Sequence, residues 1–457
     1  MKSILTIAAC AAAFNACAIG APETATMRDA RIGRLAIQLI DDLAHGQFAA
    51  VEAGFDARMR DALPADKLAS TWKTITQQAG ALQHCGAPAV TRQESLDIVL
   101  LPCAFANANL DAKVAYDPEG KVAGLFFVPG SAMAAASTAT ASTNGPVGSV
   151  EQALTVSSPL GPLPGTLTLP VGDGPFPAVL LIAGSGPQDR DERIGPNKPF
   201  LDLARGLAEH GIATLRYDKR TLTYGAKMAG ESITVDDEVT DDAVTALTQL
   251  ARQPRIDSTR VFVLGHSLGA LMAPRIVARN PHAAGLILLA APVKFDLDVV
   301  VRQTRYIAGL QGASTEQLQQ AIAPIISARD ILAHADPVHP PAGEFFHAPA
   351  SYWLSLRDYR PISVAGQLRQ PMLVLQGSSD YQVTPKDDFA KWNEAFAHDA
   401  RITLREYPGL NHLFMPSGNP PSPADYAKPG HVDLRVIADA AQWIAAVPRG
   451  GVNSATP

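Results

Sequence analysis

The sequence is poor in the residues that build metal centres and poor in charge. Four cysteines are spread over 457 residues. There is no Cys-x-x-Cys pair, no His-x-x-x-His and no His-Glu-x-x-His, so a zinc signature is missing, and neither a metal nor a cofactor is expected. Charged residues make up 18%, and 38 Lys+Arg against 44 Asp+Glu leave a formal net charge of −6. That balance argues against a nucleic-acid surface and against a basic membrane patch. No stretch beyond the amino terminus approaches the roughly 20 apolar residues of a membrane span. Glycine (35) and proline (36) are scattered rather than periodic, which excludes a collagenous chain. What is left, 47% apolar, suffices for a large core. The length is that of two domains, or of one domain with additions.

Residues 1–20 read as a secretory signal peptide. Lys2 supplies a positive start, Ile4 to Ile19 an apolar run broken only by Thr6 and Asn15, and Ala16-Cys17-Ala18 a small-x-small cleavage pattern. The run is too short to cross a bilayer, so an exported chain, periplasmic or secreted, is expected. Cys17 is a candidate for a lipid anchor, against which stands the poor match of Phe14-Asn15-Ala16 to the Leu-small-small pattern that usually precedes such a cysteine. Beyond this segment only Cys85 and Cys103 remain. In an oxidising compartment a disulfide between them would close a loop of about 19 residues, worth on the order of 3 kcal/mol; two buried thiols are the alternative.

Three zones follow. Residues 27–128 read as a small α+β domain. Ile32, Leu35, Ala36, Leu39, Ile40 and Leu43 recur at helical spacing, and Leu68 to Gln78 forms a second helix stopped at Gly80. Leu110, Ala112, Val114 and Tyr116 then alternate as a strand, Asp117-Pro118-Glu119-Gly120 turns, and Lys121 to Val128 returns. Residues 129–150, rich in Ala, Ser and Thr, read as a linker. From 151 to 448 apolar strands (177–183, 212–217, 261–264, 285–290, 372–376, 401–407) alternate with helices (199–210, 235–252, 268–278), the pattern of a mostly parallel sheet covered on both faces. A helix-rich insertion at about 294–370 interrupts it, placed where it would roof a ligand site.

The chemistry concentrates at Gly265-His266-Ser267-Leu268-Gly269. A strand runs into this Gly-x-Ser-x-Gly and a helix leaves it, so Ser267 sits on a sharp turn whose tightness excludes Cβ atoms two residues either side. A serine hydroxyl needs a histidine to take its proton and an acid to orient that histidine. Asp380 follows the strand 372–376, with Asp387 and Asp388 behind it as starts of the next helix. His412 follows the strand 401–407, with His431 the nearby competitor; His266 is expected to stay out of the chemistry. The order Ser, Asp, His is that of hydrolases rather than of the two protease classes.

With these residues the chain resembles the α/β-hydrolase fold family. It is similar in particular to exported bacterial serine hydrolases with an amino-terminal DUF3887-type domain. The likeness rests further on Leu181-Ile-Ala-Gly-Ser-Gly-Pro-Gln-Asp-Arg-Asp191, on Leu215-Arg-Tyr-Asp-Lys-Arg-Thr221 and on Tyr352-Trp353 through Pro361. In the amino-terminal domain it rests on Leu68-Ala-Ser-Thr-Trp72, Cys103 and Tyr116 to Leu125. One departure is Ser378-Ser379 before the acid, where relatives more often have Gly or a charged residue. The resemblance implies a carboxylesterase acting on short-chain esters through an acyl-enzyme on Ser267, and a small-molecule ester as partner. It also implies an oxyanion hole from the backbone N–H of Leu268 together with that of Ser185 or, second, Gly186. Asp189, Arg190 and Asp191 would tie down the 185–191 loop, with Arg216 or Lys219 as ion-pair partners; a merely solvated charge cluster is the alternative. A serine exopeptidase or other amide or thioester hydrolase on the same triad, and a non-catalytic cell-envelope binding protein, stand as alternatives. Whether the chain forms a homo-oligomer is left open.

Overall fold

A computed structural model describes residues 25–93, 96–106, 109–129, 149–228 and 231–449. The signal segment 1–20, Cys17 and most of the expected linker, 130–148, lie outside the described residues. The chain divides into two compact units, Met1–Thr140 and Ala141–Pro457.

In the first unit the helical stripe becomes the helix Ala25–Ala44, which buries Ile32, Ala36, Leu39, Ile40 and Leu43. Leu35, counted in the same stripe, points outward instead. A second helix, Ala65–Ala79, buries Leu68 and Trp72 and ends at Gly80, whose φ of 83° suits a residue without Cβ. Five antiparallel strands follow: β1 (Leu82–Cys85), β2 (Ala89–Gln93), β3 (Leu96–Phe105), β4 (Asn109–Tyr116) and β5 (Val122–Pro129). Val99, Leu101, Cys103 and Phe105 alternate inward on β3 and meet Ala112, Val114 and Tyr116 of β4, so one sheet face is buried under the helices. Cys85 and Cys103 lie directly opposite each other on β1 and β3 and form a disulfide. The first three strands lie outside the sequence reading, apart from Cys103. β1 and β2 are short and carry polar residues, whereas β3 is a near-continuous apolar run.

The second unit is built on eight strands, β6 (Ser149–Val156), β7 (Leu163–Pro170), β8 (Phe176–Ile182), β9 (Ala213–Tyr217), β10 (Ile256–His266), β11 (Gly285–Leu289), β14 (Met372–Gly377) and β15 (Ile402–Tyr407). Their spatial order is β15-β14-β11-β10-β8-β9-β7-β6. The first six of these run parallel, while β7 and β6 join antiparallel at one edge. The antiparallel pair was not foreseen, and β6 begins at Ser149, inside the expected linker.

β8, β11 and the Val261–Leu264 stretch of β10 are apolar throughout because both their faces are covered. On β10, Val263 packs into the layer holding Leu247 and Leu271, whereas Phe262 and Leu264 pack into the opposite layer with Leu207 and Ile437. The helices Asp241–Ala251 and Leu268–Arg279 thus cover one face, and Pro199–Glu209 and the carboxyl-terminal Leu434–Ala446 the other. The expected helix 235–252 starts as a π-helical turn, Asp236–Thr240, before becoming regular. Between β11 and β14 come the helices Leu297–Leu310 and Thr315–Ala333, a small hairpin of β12 (Glu344–Phe345) and β13 (Ala348–Pro349), and the helices Ala350–Arg357 and Pro361–Gln367.

Candidate active site

Ser267 stands where β10 gives way to its helix, with φ 53° and ψ −116°. Only a strongly constrained turn holds a side-chain-bearing residue there. The constraint is visible in the flanking glycines. A Cβ on Gly265 would lie 2.3 Å from the carbonyl of Gly269, and one on Gly269 would lie 2.0 Å from the Ile182 oxygen. Both obstacles are backbone, so neither can yield. The loop after β8 passes directly over the serine, since a Cβ on Gly184 would come within 3.3 Å of Ser267 Cβ.

The strand ends of β14 and β15 bring Asp380 and His412 together. His412 Nδ1 and Asp380 Oδ2 are 2.6 Å apart, and both side chains are buried. Asp380 is itself held. Its Oδ1 accepts the backbone N–H groups of Gln382 (2.8 Å) and Val383 (3.0 Å), and Oδ2 also accepts Gln376 Nε2 at 3.3 Å. The loop reaches this position because Gly377 presses against the carbonyls of Leu410 and Asn411, where a Cβ would stand 2.4 Å from Leu410 O. Ser378 Oγ accepts the N–H of Gly409, so the unusual Ser378-Ser379 pair braces the two loops against each other.

The rival residues have other occupations. Asp387 receives the hydroxyl of Thr384 and pairs with Arg302, and Asp388 is buried against the same arginine while accepting the N–H groups of Val293 and Thr384. Burial pushes the Asp388 carboxyl above its ordinary range although Arg302 and those N–H groups pull it back. His431 is on the surface, paired with Asp202.

His266 is bonded away from the serine hydroxyl, but it packs against the base candidate. Its ring lies 4.6 Å from that of His412, centroid to centroid. Its Nδ1 meets Glu192 Oε1 at 2.9 Å and its Nε2 meets the backbone oxygen of His412, also at 2.9 Å. Glu192, which no sequence spacing singles out, is 1% exposed and has φ 51°. The same Oε1 accepts the N–H of Gly184 at 2.6 Å.

Of the three candidate oxyanion donors the structure leaves two open. Among the described residues no acceptor is bonded to the N–H of Leu268 or of Ser185. Gly186 is a correction: its N–H donates to Glu238 Oε1 at 2.9 Å and is spent there. Glu238 is raised toward the loop by the π-helical turn, a local widening that recurs at functional sites. Lys219, expected among the 189–191 acids, pairs instead with Glu238 Oε1 at 2.5 Å and donates to Gly184 O at 2.8 Å. Burial first, and then the Glu238 carboxylate, push the Tyr352 phenol well above its ordinary value. Of the expected loop ties, Arg216 does meet Asp191 (3.4 Å), while Arg190 forks onto Asp218.

A cavity of about 1160 Å³ opens above Ser267, with Ser185, Gly186 and Glu238 in its wall. The 294–370 insertion supplies the opposite side, including Phe295, Phe346 and Trp353; Phe295 and Trp353 stack at 5.8 Å. Among the described residues no cluster of three His, Cys, Asp or Glu side chains is placed to hold a metal, and no helix is long and apolar enough to cross a membrane.

Comparison with known proteins agrees with this architecture. The family described as "Serine aminopeptidase, S33" matches residues 198–416, and "Protein of unknown function (DUF3887)" matches residues 36–125. Esterase EstD of Thermotoga maritima is 35% identical over 384 residues, 84% of this chain and 88% of that protein. An α/β hydrolase domain-containing protein of Arabidopsis thaliana, WAV2, is 22% identical over 205 residues, 44% of this chain and 56% of its own length. Among solved structures, Est1E from Butyrivibrio proteoclasticus is 17% identical with a TM-score of 0.40, covering 64% of this chain and 97% of that one. The extent of the match to the Thermotoga protein means that this chain belongs to the α/β-hydrolase family, as a hydrolase carrying an amino-terminal DUF3887 domain.

Proposed function

We propose that the chain is a carboxylesterase that cleaves small esters with short acyl groups through an acyl-enzyme on Ser267. The observation that carries this reading is the 2.6 Å His412–Asp380 hydrogen bond, with the His412 carbonyl bonded to the residue that precedes the elbow serine and the N–H groups of Leu268 and Ser185 left unpaired among the described residues. Ser267 Oγ attacks the ester carbonyl while His412 takes its proton. Asp380 holds the imidazole in one tautomer and balances the charge it gains. The N–H groups of Leu268 and Ser185 stabilise the tetrahedral oxyanion. His412 returns the proton to the departing alcohol, then activates a water that releases the acid and frees the serine. The name of the Thermotoga relative favours an ester over an amide as substrate.

The test is Ser267→Ala with p-nitrophenyl acetate. A loss of about 10⁶ in kcat is expected, and retention of most turnover would defeat the reading. A series of p-nitrophenyl esters then fixes acyl length.

A second reading has one specific observation behind it. The cavity wall carries Glu231 and Glu344 and no lysine or arginine, and among the described residues neither carboxylate has an ion-pair partner. Such groups suit a free ammonium, as an aminopeptidase requires. Turnover of L-leucine p-nitroanilide exceeding that of p-nitrophenyl acetate would favour it. Export rests on residues 1–20 alone, and amino-terminal sequencing of the chain from a periplasmic fraction tests it. Mass spectrometry of the same material reads a lipid on Cys17, and its molecular mass in solution reads oligomeric state.

A further inference from the structure

His266 faces two hydrogen-bond acceptors. Nε2 points at the backbone oxygen of His412, which has no proton to give, and Nδ1 points at Glu192 Oε1, each at 2.9 Å. A neutral imidazole carries one N–H, so beside an ionised Glu192 one of these contacts would set lone pair against lone pair. Both are satisfied when the ring carries two N–H groups and Glu192 is a carboxylate. We propose that His266 is an imidazolium and that, with Glu192, it is the positioning pair that fixes the oxyanion loop and the His412 loop on either side of Ser267.

Each link is a bond already described. Glu192 Oε1 takes the N–H of Gly184, the residue before Ser185. His266 precedes Ser267 in the chain, and its Nε2–H grips the residue proposed as base through its carbonyl. Two loops and the end of β10 therefore meet on one ion pair. The pair is 4% and 1% exposed, and a buried charge is tolerated only when it is matched. Glu192 Oε2 is buried without a hydrogen-bond partner, so the carboxylate depends on the imidazolium for compensation. The left-handed φ of Glu192, unfavourable for a side-chain-bearing residue, is the kind of strain that persists where surroundings hold a group in place for a purpose.

The groups facing His266 are Glu192 from the loop after β8, Asp380 from the loop after β14, and the ring and carbonyl of His412 from the loop after β15. Burial draws the His266 imidazolium down. Glu192, the His412 carbonyl and Asp380 outweigh it and leave the ring above its ordinary value.

The functional half of the proposal rests on the Ser267–His412–Asp380 reading, whereas the protonation state does not. The test therefore has two arms on the full chain. In ¹⁵N-histidine-labelled protein at pH 7, His266 is expected to show two slowly exchanging ring N–H signals with imidazolium nitrogen shifts. They are assigned by their loss in His266→Gln, or by their shift in Glu192→Asp if that variant does not fold. A single ring N–H on His266 overturns the proposal whatever the activity. In the kinetic arm, Glu192→Gln keeps an oxygen able to accept the Gly184 N–H but removes the charge. A fall in kcat of about 10²-fold with KM changed less than about threefold is expected, the scale of a small misplacement of reacting groups. Glu192→Gln with wild-type kcat would reduce Glu192 to a structural hydrogen-bond acceptor and overturn the positioning role. Loss of activity in Ser267→Ala, measured alongside, separates failure of this pair from failure of the triad reading.

Discussion

Gly186 gives its backbone N–H to Glu238, and Lys219 reaches the same carboxylate oxygen. This contact decides which amide of the loop can meet a developing oxyanion. With Gly184 bound to Glu192 and Gly186 bound to Glu238, the unpaired N–H between them belongs to Ser185. Replacing Glu238 by Ala should release one of these two anchors. The expected result is a fall of roughly 10²-fold in kcat, with phosphonylation of Ser267 by a fluorophosphonate slowed in parallel, because a preorganised donor loses its aim. Unchanged phosphonylation would mean that the loop is positioned without Glu238. Lys219→Met should act on stability instead, since it strands a buried carboxylate; breaking such a pair costs about 3–5 kcal/mol, readable by urea unfolding.

Three aspartates and two histidines compete for the acid and base roles, and their environments separate them. Asp380→Asn should lower kcat on the order of 10⁴-fold, the scale known for losing the orienting acid of a serine triad. His412→Asn should be at least as damaging. Asp387→Asn and His431→Asn should leave kcat within about twofold, because these side chains serve exposed pairs with Arg302 and Asp202. A steady-state comparison of the four variants checks the assignment, and a severe defect in either of the last two would break it.

The disulfide offers a test of stability in the first unit. Cys85 and Cys103 are 18 apart in sequence and join β1 to β3. Closing so short a loop removes about 3 kcal/mol worth of freedom from the unfolded chain. In a unit of this size, the paired Cys85→Ser and Cys103→Ser substitution should lower its unfolding midpoint by on the order of 10 °C. Calorimetry should show that transition moving while the transition of the second unit stays in place.

The Ser267 elbow and the Asp380–His412 contact were legible because each residue is announced by its own neighbourhood. Ser267 has its glycines, Asp380 follows an apolar strand, and His412 lies in the loop after the last strand. The central strands were legible for the same reason: two covered faces leave no polar residue in β8, β11 or the core of β10. The supporting residues carried no such announcement. Glu192 and Glu238 sit among other acids, and their importance comes from burial and from which N–H they accept, neither of which has a sequence period. Lys219 was expected to meet the acids of the 189–191 loop, but the fold brings it Glu238 of the π-helical turn, 19 residues away, instead. Strand β6 was missed because an edge strand with most of its residues exposed has little apolar alternation, and Ser149 opens it directly after a tract of small residues.

His266 makes stability depend on pH in a direction that can be worked out. Its ring is held above the ordinary histidine value, burial opposing and Glu192, the His412 carbonyl and Asp380 prevailing. A group raised in the folded state binds its proton more tightly there than in the unfolded chain, whose histidines titrate near about 6.5. Its contribution is therefore complete below that pH and declines as pH rises through the folded value. The second unit should accordingly lose stability on the alkaline side of neutrality. In His266→Gln the neutral side chain cannot release a proton, so this part of the decline should vanish even though the variant starts from a lower stability. Denaturant midpoints for both proteins from pH 6 to pH 10 check the prediction. Parallel declines in the two proteins would show that the alkaline sensitivity arises at another group.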